Sequence, residues 1–493
     1  MREQPNFVYI FCDELRADAL GCYVPEKNYI HTPNIDALAA EGIRYENCYC
    51  NSPVCVPSRA SLLTGLYPEE IGVYQNEASI PPFEMQAEFR TIPSVLAQNG
   101  YQTASFGKTH LPWHMDSGFS YENSDGSEMT LGLQGFDEAE QVIRSSGVTS
   151  NILGGLYPND REFHPAVITE NAVRWMKEQD DPFFVRISYL QPHTPVIAPR
   201  RYASCDGIPF DESLGSVGSL SHFERHFAEL MDMKRMPPKH VRAMKRDYFD
   251  LVAWVDEQVG VILESVKQIA NGRDTIVIFN SDHGVSLGEN ASFGKMTFNG
   301  CAQKVPLIIA YVPDQEKGTV VQELCSNIDL GRTIFGLAQV GPDPQFGGRD
   351  LLKEGPSGEV YASIGYGSKW SFPFGYDAVG DYKEGCAWPR RACLRRGTYR
   401  LDMNVRINSE PVPEAEEDLF FTDSAVCPEE NVNLCRDPRY EAVCAQMRQE
   451  LLSRSGKSVE IPDETLYEIR KSLEDRSFFR YLIQATEFND RKR

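Results

Sequence analysis

The sequence predicts an α/β fold, a large and mostly parallel doubly wound sheet flanked by helices, followed by a smaller C-terminal α+β domain with a short antiparallel sheet plus a helix. Three observations predict it. Apolar runs of strand length alternate with helical segments from Asn6 to Ile309, the order that builds parallel sheets with helices on both faces. Those runs are almost continuously apolar, as strands buried on both faces must be. Gly and Pro then cluster through Gly341 to Gly358, and shorter strand-like segments follow. The expected domains are residues 1–350 and 351–493.

Taken in order, Asn6 to Phe11 reads as a buried strand running into Cys12-Asp13-Glu14. It delivers two carboxylates at its C-terminal end, or else these belong to an acidic loop. Pro33 to Glu41 is a short helix stopped by Gly42, followed by a strand from Ile43 to Tyr49. Ile92 to Gly100 and Tyr101 to Phe106 repeat the helix, glycine and strand pattern. A helix at Pro165 to Glu178, a strand at Phe183 to Leu190, a long helix carrying Val252, Val255, Val259, Ile262 and Val266, and a strand at Thr275 to Asn280 continue it. Pro306 to Ile309 is one more buried strand. Beyond the boundary, Glu359 to Ile364, Ala392 to Leu394 and Tyr399 to Met403 read as short strands and Arg439 to Leu452 as a helix. Arg390, Arg391, Arg395, Arg396 and Arg400 are expected on an exposed sheet face, and Glu414 to Asp418 in a solvated loop.

Composition excludes whole classes of function. With 41% hydrophobic and 24% charged residues, the 493-residue chain is ordinary globular protein. Its 71 acidic and 49 basic residues give a net charge of −22, which repels nucleic acid and anionic membranes. No apolar run approaches the roughly 18 residues of a membrane span. The 13 cysteines are an odd, scattered set, which favours reduced thiols and a cytoplasmic setting. An anionic substrate would need local cations to overcome the global field.

In parallel sheets, ligands sit beyond the C-terminal ends of the strands. That rule selects Asp13-Glu14, Lys108-Thr109-His110, Gln191-Pro192-His193 and Asp282-His283. A fifth segment stands apart: Cys55-Val56-Pro57-Ser58-Arg59, then Ala60-Ser61-Leu62-Leu63-Thr64-Gly65. Proline favours a first helical position and glycine follows a helix end, so Cys55 is expected at the start of a short helix with Arg59 one turn on. The helix dipole and the guanidinium would favour a thiolate or a bound anion there. A buried structural thiol is the alternative.

This C-x-P-S-R-A-S-L-L-T-G segment resembles the hallmark of the type I, formylglycine-dependent sulfatases of the alkaline phosphatase superfamily. The likeness continues in order through His31 to Asp36, Gly107 to Leu111, Gln191 to Pro195, Ser281 to Gly284, Gly294-Lys295, Val305 to Leu307, Asn327 to Leu330 and Arg396 to Leu401. It implies a sulfuric ester hydrolase in which Cys55 is converted to Cα-formylglycine by a maturing enzyme. One hydroxyl of the hydrated aldehyde attacks sulfur, and loss of a proton from the other expels sulfate. The resemblance makes Asp13, Glu14, Asp282 and His283 the ligands of one divalent metal, Ca²⁺ first, with Mg²⁺, Mn²⁺ or Zn²⁺ as alternatives. Glu14 stands where Asp is frequent and His283 where Asn is frequent, so Glu14 binds with changed geometry or only supports the ligands.

Lys108 and His110, two apart on an extended segment, should project to one side. The resemblance makes Lys108 a sulfate-oxygen ligand, His110 the base that collapses the sulfated intermediate, and His193 and Lys295 the groups that contact sulfate and protonate the leaving oxygen. Arg59, Lys108 and Lys295 would be the required local cations. Gly300-Cys301-Ala302 stands where an acidic residue is frequent. The substrate expected is a sulfated carbohydrate, on the strength of Trp113, Tyr366, Trp370 and Trp388. His114, beside Trp113, could line its pocket, while His164, His222, His226 and His240 read as isolated residues. Two alternatives remain: a phosphonate monoester hydrolase or phosphodiesterase of the same superfamily, and a non-catalytic sulfate- or glycan-binding protein. The expected partners are the sulfate ester and the maturing enzyme.

Overall fold

The computed structural model describes residues 3–27, 30–125, 154–157, 165–194, 196–199, 219–231, 238–370 and 388–474; His164 and Pro195 lie outside them. In chain order the strands are β1 (Asn6–Asp13), β2 (Gly42–Tyr49), β3 (Gln102–Gly107), β4 (Tyr121–Asn123), β5 (Gly154–Tyr157), β6 (Phe183–Pro192), β7 (Val196–Pro199), β8 (Thr275–Ser281), β9 (Ser286–Leu287), β10 (Phe293–Gly294), β11 (Lys304–Ala310), β12 (Thr319–Ser326), β13 (Glu359–Ile364), β14 (Arg390–Arg396), β15 (Tyr399–Ile407), β16 (Glu410–Pro411) and β17 (Phe420–Asp423). Eight of them form one sheet in the order β12-β2-β11-β8-β1-β6-β3-β4. All neighbours in it run parallel except β11, which is antiparallel to both β2 and β8.

Alternation along β1 sorts the core. Val8, Ile10 and Cys12 face a layer with Trp254, Val255 and Val259 of the long helix Pro238–Val266. Phe7, Tyr9 and Phe11 face Leu62 and Leu63 of the helix Cys55–Thr64, together with Leu330 and Ile334 of the helix Asp329–Leu337. Successive strand residues point to opposite faces, so a strand covered on both sides has no polar phase.

Register brings the strand ends level. Asp13 pairs with Pro192, Cys12 with Ser281, and Gly107 with Ser188, so the residues that follow β3, β6 and β8 leave the sheet beside Asp13. Gly107 turns the chain there with φ +93°, and a Cβ on it would sit 2.1 Å from the Ser188 carbonyl oxygen. Only glycine fits.

The second sheet pairs β13, β14, β15 and β16, with β17 on β15, all antiparallel. The helix Glu441–Ser455 covers one face through Met447 and Leu451. Its arginines correct the sequence reading: Arg390, Arg391, Arg395 and Arg400 are buried, and only Arg396 is partly exposed. Each buried one has a carboxylate partner: Arg390 with Glu460 at 2.7 Å, Arg391 with Asp402 at 2.7 Å, Arg395 with Glu430 at 2.5 Å and Arg400 with Glu224 at 2.6 Å. Burial is tolerable because every charge is paired and hydrogen-bonded. The Glu414–Asp418 stretch is likewise only partly solvated. Glu417 is buried against Arg448, and Asp418 accepts from the N–H groups of His222 and Phe223. Trp388, expected near substrate, is enclosed by Phe223 and Phe227. His222 and His226 are not isolated, for their rings stack 6.4 Å apart. Among the described residues, no helix is long and apolar enough to cross a membrane.

Candidate active site

Cys55 opens the helix Cys55–Thr64, every residue of which is buried, and Gly65 closes it at φ +67°. The first position belongs to Cys55, with Pro57 third rather than first. Proline costs nothing there, because the first-turn N–H groups have no partner within a helix. The helix start places its positive dipole end at Cys55.

Four strand-end segments converge on the sulfur. Lys295 Nζ lies 2.8 Å from Cys55 Sγ, His283 Nε2 3.3 Å, Asp13 Oδ1 3.6 Å and Lys108 Nζ 3.9 Å. Burial alone would raise the Cys55 thiol, but Lys108, Lys295 and His283 outweigh it and hold the group well below its ordinary value. The site is built for an anion. His110 also reaches the sulfur, and its imidazole is pushed down to about 4 by burial and by Lys108. It does so from a left-handed backbone at φ +48°, beyond the end of β3. Lys108 and His110 therefore converge through a turn and not by strand alternation.

Arg59 takes a different place from the one expected. It lies behind the sulfur as a bridge, with Nη2 on Asp13 and Nε on Asp282, both at 2.9 Å, and Nη1 on Ser188 Oγ at 3.1 Å. Its guanidinium stacks 4.9 Å over Phe11. Asp13 also accepts from Lys108 Nζ. Burial would raise Asp13, and Lys108, His193 and Arg59 instead hold it low.

Asp13, Cys55, Asp282 and His283 each bring one potential ligand atom within 4.8 Å of the others. His283 suits a cation, since Nδ1 lies 2.8 Å from the Gly284 carbonyl oxygen. That contact fixes the proton on Nδ1 and turns the lone pair of Nε2 towards the carboxylates. Two carboxylates and one oriented imidazole fit a divalent ion. Glu14 sits to one side, sharing Asp13 with His193. Its Oε1 lies 2.9 Å from Lys295 Nζ and 3.3 Å from His193 Nε2. Tyr248 donates to its backbone oxygen at 2.7 Å, at a residue held at φ +61°. His193 Nε2 meets Lys295 Nζ at 3.1 Å, and its Nδ1 meets the Thr194 carbonyl.

The residues read from the sequence as catalytic groups or metal ligands are thus in one cluster, whereas Trp388 is not. Sequence reading missed the supports. Ser58 Oγ donates to the Asp282 carbonyl at 2.6 Å, Ser188 holds Arg59, and Asn76 accepts from the Val56 N–H at 3.0 Å. Ser58 lies in the hallmark segment and could have been found; Tyr248, in the middle of a long helix, carries no local signal. The Gly300-Cys301-Ala302 segment has an acid after all, supplied from afar: Glu430 accepts from the Gly300 N–H at 3.0 Å.

Comparisons with known proteins agree with this geometry. A family model described as Sulfatase matches residues 5–340. The chain is 29% identical over 364 residues to an ulvan-active sulfatase of Formosa agariphila, covering 71% of this chain and 64% of the relative. It is 28% identical over 340 residues to an iduronate 2-sulfatase of Mus musculus, covering 62% and 59%. The chain therefore spans less than two thirds of the length of these relatives. In fold it is similar to a phosphonate monoester hydrolase of Agrobacterium radiobacter, with a TM-score of 0.72, 22% identity and coverage of 92% and 96%.

Proposed function

The chain belongs to the sulfatase family, and from that premise we propose that it hydrolyses a sulfate monoester, that of a sulfated carbohydrate, through a formylglycine made from Cys55. One observation carries the reading: two lysine ammoniums from distant segments, Lys108 and Lys295, and the His283 imidazole meet at a single sulfur on a helix start. A free thiol has no need of such a cradle. A tetrahedral sulfate group does.

The roles follow from the positions. Asp13, Asp282 and His283 would hold the divalent cation, Ca²⁺ being the first choice for a carboxylate-rich set, with Glu14 as a supporting carboxylate. The cation supplies polarisation of a sulfate oxygen and a lower pKa for the attacking hydroxyl. Lys108 and Lys295 grip the sulfate. Arg59 fixes the two carboxylates in register. His193, with Lys295 beside its Nε2, delivers the proton to the leaving alkoxide. His110, kept neutral by its surroundings, takes the proton of the second hydroxyl, so that the carbon–oxygen bond breaks, sulfate departs and the aldehyde returns. A maturing enzyme is the required partner. The carbohydrate assignment is supported by the ulvan-active and iduronate relatives. The cytoplasmic assignment is supported by the free thiols of all eleven described cysteines.

Mass spectrometry of the peptide carrying residue 55, from protein made with a maturing enzyme, is expected to show a loss of about 18 Da, the difference between a thiol-bearing and an aldehyde side chain. Cys55→Ala is expected to fold and release no sulfate. Unmodified cysteine in an active preparation overturns the reading. A kcat/KM for phosphonate esters above that for every sulfate ester favours the hydrolase whose fold it shares, and specific binding without turnover favours a binding protein.

A further inference from the structure

Four aromatic side chains are candidates for contact with the organic part of a substrate, and the structure separates them. Trp388 and Tyr366 are buried, and Trp370 packs edge-on against Tyr467 at 4.8 Å. Trp113 alone of the four is well exposed, at 39%. It stands three residues after His110 on the loop that leaves β3.

That loop is not loosely hung. The Trp113 N–H donates to the Ala78 carbonyl at 2.7 Å, in the turn Asn76–Ser79. The same turn supplies the Asn76 oxygen that accepts from Val56, the neighbour of Cys55. One short turn thus ties the indole-bearing residue to the start of the Cys55 helix on one side, while His110 ties the loop to the sulfur on the other. The flanking Pro112 is buried and Met115 packs against the cluster that contains Ile71 and Tyr74, yet Trp113 and His114 are exposed. His114 holds a left-handed backbone at φ +60°, and its ring lies 4.8 Å from the indole, inclined by 59°. A residue other than glycine in that region costs about 1 kcal/mol or more and persists where surroundings enforce it. Backbone strain, pinned flanks and an exposed indole together describe a held surface three residues along the chain from His110, which reaches the Cys55 sulfur.

We propose that the Trp113 indole face, with the His114 imidazole beside it, is the platform on which the pyranose ring bearing the sulfate ester packs. Trp113 is then a specificity-determining residue, acting through contact of ring C–H groups with the indole, and His114 offers a hydrogen-bonding nitrogen to a neighbouring hydroxyl. The proposal rests on sulfate ester hydrolysis at residue 55. No bond changes in this contact, so the catalytic groups keep their roles. A pyranose suits the pair better than an alkyl ammonium group, because one partner is an apolar face and the other a polar edge.

The test uses full-length matured protein and a panel of pyranose monosulfates, including the 2-sulfate of iduronate and the 6-sulfates of glucose, galactose and N-acetylglucosamine, beside 4-nitrophenyl sulfate and choline sulfate. For the best sugar, Trp113→Ala is expected to raise KM about tenfold or more, with kcat changed less than about threefold. Trp113→Phe should recover most of the loss. The inhibition constant of inorganic sulfate, which fills only the anion end, should stay within about twofold. Equal losses in sulfate inhibition and sugar KM would assign the residue to folding and overturn the proposal, as would an unchanged sugar KM. Turnover of 4-nitrophenyl or choline sulfate with no sugar sulfate accepted overturns the pyranose alone and leaves the hydrolase reading intact. Release of sulfate from no ester at all, with residue 55 modified, ends both.

Discussion

Arg59 joins Asp13 to Asp282, two carboxylates that arrive from the ends of different strands, with one 2.9 Å bond to each. All three side chains are fully buried. Removing the guanidinium strands two negative charges, of which Lys108 can serve only Asp13. Arg59→Ala is expected to lose about 3–5 kcal/mol of unfolding free energy, read from urea midpoints. Arg59→Lys should recover only part of this, because an ammonium cannot span both carboxylates as a planar fork does.

Lys295 touches three groups at once: the residue 55 side chain, Glu14 and His193. It is less central to folding, being partly exposed. Lys295→Ala should lower kcat for sulfate release by about 10²–10³, while the thermal midpoint moves little and residue 55 is still modified. A rise in KM alone, with kcat unchanged, would place Lys295 outside the chemistry.

Gly107 and Gly100 offer a controlled pair, since both have φ near +90° but only one is crowded. A Cβ at Gly107 meets the Ser188 carbonyl oxygen at 2.1 Å, and a Cβ at Gly100 meets nothing within 4 Å. Gly100→Ala should cost about 1 kcal/mol from backbone strain alone. Gly107→Ala should cost several times as much and also depress sulfate release, because the Lys108 N–H bonds that same oxygen. Thermal midpoints and kcat of the two variants test the difference.

Glu430 predicts an acid limb. Burial would raise its carboxyl, yet Arg395 and Arg400 hold it at about 2, against 4.5 for an ordinary glutamate. A depressed carboxylate contributes stability that is complete above the unfolded value and is lost as pH falls through the folded one. Unfolding free energy should therefore drop between pH 4.5 and 2, by about 3 kcal/mol from this group. Glu430→Gln should be less stable at pH 7 and show a flatter decline, measured by urea titration at each pH.

Local pattern revealed the centre of the site because its parts obey a local rule. Asp13 ends a strand and Lys108, His193 and Asp282 each follow one, and parallel strands in register bring their ends together. The periphery obeys no such rule. The arginines of β14 and β15 look like a solvent face, and their partners Glu224, Asp402, Glu430 and Glu460 reveal them as buried. Glu14 turns aside from Asp282 at a backbone angle braced by Tyr248, a contact across 234 residues. Pattern reports what a residue is; such contacts depend on what arrives from elsewhere.

Cys55 is 1% exposed, in a helix without a single accessible residue. If Cys55 is oxidised as proposed, an enzyme that must hold that side chain has no route once the sheet has closed, and maturation becomes a race against folding. The finishing line is far downstream, because the segment after Lys295 is clamped through Gly300 by Glu430 and through Phe298 by Arg395. A nascent chain that has not yet grown to Glu430 lacks that clamp. Slow synthesis of the C-terminal sheet would then lengthen the opportunity for modification, and a fast-folding variant would emerge well formed and inert.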